Sequence, residues 1–194
     1  MSLHLITPPT DFPLTVTDVL RRLKIDAGDD NEYIEFLIKQ LTGLIDAGEG
    51  ILGHTLCRQT WEYRIQAFPG GKIEIPLPPL VSVSSVKHLD PAEVEQTLVA
   101  VTDYVVIDQG SFPSIIQPAL GKSWPATACN RADAVRIQFL AGYLTASIPP
   151  PIIAWMLREI GKAFESRDEN LSPDYSEILR YRTIALQPTY ETVL

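Results

Sequence analysis

The middle of this chain is a succession of short β-prone segments, each halted by proline or glycine, and this limits its possible folds more than any other feature. They read IEIPLPPLVSVSSVKHLD from Ile73, YVVIDQGSFPSIIQPALGKSWP from Tyr104 and AVRIQFLAGY from Ala134. Proline cannot donate to a strand ladder and interior glycine weakens one, so such segments make short strands joined by turns rather than long sheets. Helix-periodic sequence flanks them on both sides, which predicts an α+β fold.

The helices are legible from apolar spacing. Thr15, with Asp18 three positions on, has the form of a capping box, and Val16, Val19, Leu20 and Leu23 supply one stripe of a short helix. From Glu32 to Leu52, Ile34, Leu37, Ile38, Leu41, Leu44, Ile45, Ile51 and Leu52 recur at helical spacing and predict a long helix stopped by Gly53 and His54. After the strands, Pro149 to Pro151 suit the first turn of a third helix, where missing N–H groups cost little. Its buried face, Ile152, Ile153, Met156, Leu157, Ile160, Ala163 and Phe164, is expected to pack on the long helix. Ser172 and Pro173 repeat a cap-plus-proline start, predicting a shorter helix to about Ala185, and the final TYETVL alternates with nothing evident to pair with.

Between the helices, TLCRQTWEYRIQAF alternates as a strand, with Trp61, Tyr63 and Ile65 on one side and Thr60, Glu62 and Arg64 on the other. Gly70 and Gly71 turn into KIEIPL, and Pro78 with Pro79 breaks pairing before VSVSSVKHL, an arrangement suited to a sheet edge or corner. QTLVAV, DYVVID and AVRIQFLAGY complete one small antiparallel sheet, with Gln109 to Arg131 as a long loop. Trp61 and Trp155 are expected in or beside the core, and Trp124 as a plug anchoring that loop. The expected organisation is an extended lead-in over 1–13, a core domain over 14–171 and a C-terminal arm over 172–194: a bundle of two N-terminal helices and a C-terminal helix on a small antiparallel sheet, with a helical arm and tail.

Composition excludes several functions. Among 194 residues, 45% are hydrophobic and 21% charged, enough for a buried core. The net charge of −8 argues against binding nucleic acid through its phosphates. No apolar run reaches the roughly 18 to 20 residues that span a bilayer, and the start lacks a signal peptide's basic and apolar stretches. Synthesis in the cytosol, with Cys57 and Cys129 as reduced thiols, is the expectation.

Reactive groups are sparse. His4 falls in the lead-in, His54 at a helix end, and His88 beside Asp90 on a strand, where Ser84 or Ser85 is the one imaginable nucleophile; that spacing equally describes a solvated face. The cysteines and histidines show no zinc-ligand pairs. Asp26, Asp29, Asp30 and Glu32 lack the full calcium-loop pattern and fit the positive end of the long helix, and AGEGILGH lacks the lysine and preceding strand of a phosphate loop. No catalytic, cofactor or metal site is expected.

Taken in order, Leu77 to Leu80, Asp90, Tyr104 to Asp108, Trp124 with Pro125, Ala141 to Tyr143 and Pro149 to Arg167 resemble the head-to-tail connector (adaptor) proteins of tailed bacteriophages and related prophage or gene-transfer particles. The likeness spans residues 14 to 185, with departures at Pro91 to Val94, where the family often has glycine, and at Leu144. It implies a structural protein without catalysis or cofactor. It also implies a ring at the portal vertex, dodecameric in the particle and compatible with a monomer in isolation. That ring extends the DNA channel from head to tail and meets the portal protein on one side and a stopper or tail completion protein on the other. DNA passes without specific binding, no membrane is involved, and assembly takes place in the host bacterial cytoplasm before the protein resides in the neck of the virion. The C-terminal arm is expected to pack weakly and to dock on the portal through Tyr175, Leu179, Tyr181, Tyr190, Val193 and Leu194. The alternatives are another neck protein (head completion, stopper or tail terminator) or a small enzyme using His88 and Asp90.

Overall fold

The computed structural model describes residues 1–26, 28, 30–46, 50–110, 113–167 and 173–179. Among these the order of elements is β1 (Ser2–Thr7), α1 (Val16–Leu23), α2 (Asn31–Ile45), β2 (Gln59–Ile65), β3 (Ile73–Ile75), β4 (Leu80–Leu89), β5 (Glu95–Leu98), β6 (Tyr104–Ile107), β7 (Ser114–Pro118), β8 (Val135–Ala141), a single 3-10 turn (Thr145–Ser147) and α3 (Pro150–Ser166). The α+β class expected from the sequence holds.

The helical layer forms where apolar spacing placed it. Thr15 starts α1 with a reciprocal cap: its hydroxyl accepts from the Asp18 amide at 3.1 Å and the Asp18 carboxylate accepts from the Thr15 amide at 3.4 Å. The second helix ends at Ile45, short of the expected Leu52, because Asp46 turns the chain back. Its carboxylate accepts from the Leu56 amide at 2.7 Å and from Gln59 Nε2 at 3.0 Å. Ile51 and Leu52 then return their amides to the carbonyls of Leu44 and Ile45, so Leu52 is buried against the helix without belonging to it. Gly50 permits this reversal, since a Cβ there would lie 2.3 Å from the Asp46 carbonyl oxygen.

Helix α3 packs on α2 as expected. Tyr33 Oη donates to the Ala163 carbonyl at 3.2 Å, and the Tyr33 and Phe164 rings lie 6.4 Å apart. Arg167 closes this end by pairing with Asp30 at 2.6 and 3.1 Å while covering the Phe164 ring. Ile34, Leu37, Leu41, Ile152, Trp155, Met156 and Ile160 are fully buried in one core.

The strands build two sheets rather than one. Five strands lie in the order β1-β2-β8-β4-β5, and three in the order β3-β7-β6, all antiparallel. The Pro78–Pro79 step is the corner anticipated from the sequence, sending β3 into one sheet and β4 into the other, where β4 lies inside the sheet and not at its edge. Strand β7 arises inside the stretch expected to be loop; it was hidden because only four residues separate Pro113 from Pro118. The lead-in also gains a ladder, as β1 pairs along β2 with His4 opposite Glu62. A second core, with Ile75, Leu80, Val86, Ile116, Ile137 and Phe139 fully or almost fully buried, draws on both sheets.

The two cores meet at the end of β8. Gly142 has φ +110°, and a Cβ on it would lie 2.3 Å from the Cys57 carbonyl oxygen. This close approach lets the Gly142 amide reach the Pro79 carbonyl at 2.9 Å and the Tyr143 amide reach the Leu56 carbonyl at 3.0 Å.

The start of the expected C-terminal arm is packed onto its own domain. Ile178 is fully buried in the helical core, Trp155 Nε1 donates to the Asp174 carbonyl at 2.7 Å, and Arg158 pairs with Glu177 at 2.6 Å. Ser172 and the helix expected to run to Ala185 lie outside the described residues, apart from Pro173 to Leu179.

Candidate assembly surfaces

His88 and Asp90 each have a structural assignment. His88, only 4% exposed, packs with its ring 5.6 Å from Phe68, which stacks on Trp124 at 4.6 Å. Burial holds His88 below the usual histidine range, and the charge of Asp90 offsets part of that. Asp90 shapes the turn after β4: it accepts from the Val94 amide at 3.0 Å, Gln96 Nε2 at 3.0 Å and the Ala92 amide at 2.9 Å. These bonds keep its carboxyl below the ordinary value and hold Glu93 at φ +60°. His88 thus belongs to a core, Asp90 to a turn, and Ser84 to the exposed surface. The Pro91 to Val94 departure noted in the sequence is this Asp90-centred turn.

The other histidines and Cys57 are placed in the same way, while Cys129 is exposed. His54 is buried edge-on to Tyr143 at 6.1 Å instead of capping a helix, and burial lowers its pKa. His4 sits on β1 with Nε2 3.1 Å from Ser2 Oγ. Both cysteines are free; Cys57 is buried and its thiol is pushed up to about 12, first by burial and then by the charge of Asp46, so it holds its proton. Asp30 occupies the N-cap position of α2 without a capping bond and instead pairs with Arg167. Among the described residues no group of three or more histidine, cysteine, aspartate or glutamate side chains is arranged to hold a metal ion. Trp124 is the plug its sequence context suggested, with Nε1 donating to the Gly71 carbonyl at 2.6 Å.

What the molecule offers is surface. Two open depressions of about 360 and 300 Å³ share Thr10, Asp11 and Thr145, the first lined also by Phe12, Leu14 and Ile38, the second by Arg58, Tyr143 and Leu144. The five-stranded sheet ends in two exposed edges, β1 and β5. Of the residues expected to dock on a portal, Tyr175 turns inward and stacks on Trp155 at 5.9 Å, because the Trp155 bond to Asp174 pulls the segment onto α3. Leu179 remains 41% exposed, and Tyr181, Tyr190, Val193 and Leu194 lie outside the described residues. Sequence reasoning missed β1 as a sheet edge, although the alternation of Leu3 and Leu5 with His4 was its available signal. No helix among the described residues is long and apolar enough to cross a membrane.

No model of a known protein family matches the sequence, and no curated protein does so significantly. Solved structures do. A chain from the neck of an empty gene transfer agent (GTA) particle, computed with C6 symmetry, superposes with TM-score 0.71 at 21% identity, covering 95% of this chain and 96% of that one. A chain from the virion of a native GTA particle gives 0.70 at 19% identity, and one from the neck of a native particle, computed with C12 symmetry, gives 0.63 at 19% identity, each with the same coverage. The likeness extends through both layers, helices and sheets alike, and this chain has the fold of those GTA-particle chains.

Proposed function

We propose that this protein is a head-to-tail connector: a non-enzymatic subunit of a ring in the neck of a phage-like particle, seated on the portal vertex and extending the channel through which DNA passes. The observation that carries this is a shared fold over nearly the whole of both chains with GTA chains, two of them from necks computed with sixfold and twelvefold symmetry. The order of motifs from Leu77 to Arg167 supports it independently. So does the engagement of His88, Asp90 and Cys57 in core and turn contacts, which leaves them structural tasks. A ring demands that two unlike faces of each subunit fit each other so that rotation closes the set. The portal protein is the expected partner below and a stopper or tail completion protein above.

The test is cryo-electron microscopy of particles carrying the full-length protein. Ring density at the neck that accepts this fold supports the proposal; density for it elsewhere in the particle, or none, defeats it. The C-terminal docking proposal now centres on Leu179, Tyr181, Tyr190, Val193 and Leu194, since Tyr175 is engaged within its own domain. Deleting Thr189 to Leu194 should reduce attachment of the protein to portal-bearing capsids; undiminished attachment ends that part of the proposal.

A further inference from the structure

Every strand of the five-stranded sheet runs against its neighbour, so its two outer strands, β1 and β5, point the same way. Both are open. β1 contains no lysine, arginine, acidic residue or proline to keep it from pairing, and its one irregularity is a register shift against β2 between Leu5 and Thr7. Its consecutive residues Leu5 and Ile6, at this register shift, are each 46% exposed. On the far flank, β5 exposes Glu95, Gln96 and Thr97, and Val94 and Val99 beside it are 53% and 57% exposed.

We propose that β5 of one copy pairs with β1 of the next, so that the sheet continues from subunit to subunit. This rests on the ring proposal above and names the surface by which the ring closes. One step of a many-membered ring turns a strand only slightly and so keeps its sense, and five alternating strands give both edges the same sense, so the seam is parallel. A twofold dimer through β1 alone would instead be antiparallel and would leave β5 open. The seam supplies partners for the unpaired backbone groups of both edges and removes Leu5, Ile6, Val94 and Val99 from water. It brings no like charge to Glu95, which Lys87 and Arg136 already hold.

The experiment uses necks of particles carrying the full-length protein with Cys129→Ser, leaving only the buried Cys57. Ile6→Cys combined with Thr97→Cys, treated with a short bis-maleimide, should give a ladder of covalent multimers beyond the dimer, and neither single substitution should. Adding Leu5→Lys should cut the ladder at least tenfold with an unchanged unfolding midpoint for the isolated protein. Dimers from Ile6→Cys alone, or efficient cross-linking of Ile6→Cys to Val193→Cys in place of Thr97→Cys, would assign the β1 edge to another β1 or to the C-terminal tail and overturn the seam. Absence of a ladder where ring density is present also overturns the seam but leaves the ring standing; absence of ring density fails the ring proposal itself.

Discussion

Gly142 has the tightest steric demand at the joint between the two cores. Its φ of +110° and the 2.3 Å gap that a Cβ would have to the Cys57 carbonyl leave no room for any other residue. Gly142→Ala should therefore lower stability by about 2 kcal/mol or more, read as a shift in denaturant midpoint at constant slope. The buried histidines set a second expectation. In the folded protein His54 and His88 have pKa values below the ordinary 6.5, chiefly through burial. As pH falls through about 6.5 the unfolded chain takes up protons first, so stability is full above that pH and declines on acidification toward the folded-state values. Urea midpoints from pH 8 to pH 5 should show the decline, and His88→Gln should make it shallower; an unchanged slope would mean that His88 protonates equally in both states. The sequence made both histidines conspicuous but not their burial, because the neighbours that desolvate them, Phe68 for His88 and Tyr143 for His54, are distant in the chain.

Elements here are stopped as much by side chains as by propensity. Asp46 ends α2 and Asp90 ends β4, in each case by a carboxylate accepting from amides further along the chain. Asp90→Ala should speed hydrogen exchange across 91–98 while leaving the amides of β8 protected; uniform protection in the variant would show that the β4–β5 ladder holds the turn unaided. Trp155 does similar work between α3 and the segment after it. Trp155→Phe keeps a ring in the core but removes the donor to Asp174, and should cost about 1–2 kcal/mol, with 173–179 exchanging first. Helix α2 was readable in its start and its apolar face but not in its length: Ile51 and Leu52 fit the helical period, yet reach the core through a chain reversal. Strand β7 was unreadable between its two prolines until β3 and β6 took their places on either side of it.

For the whole molecule, a net charge of −8 on a chain proposed to line a DNA channel favours passage over adhesion. Purified protein should fail to retard duplex DNA in a gel at about 0.1 M salt; retardation there would overturn this account of its charge. At this scale the division between sequence and tertiary structure is plain. Composition, caps, apolar periods and the Pro78–Pro79 corner by themselves determined an α+β chain with a short helix, a long helix, short strands and a third helix packed on the second, because each depends on residues within a few positions of one another. Tertiary structure alone decided that the strands divide between two sheets, that the lead-in becomes an edge strand, and that Ile178 and Tyr175 fold back onto α3. These outcomes depend on which distant segments find unpaired backbone groups and unburied apolar surface once the rest has assembled, and local spacing carries no record of that competition.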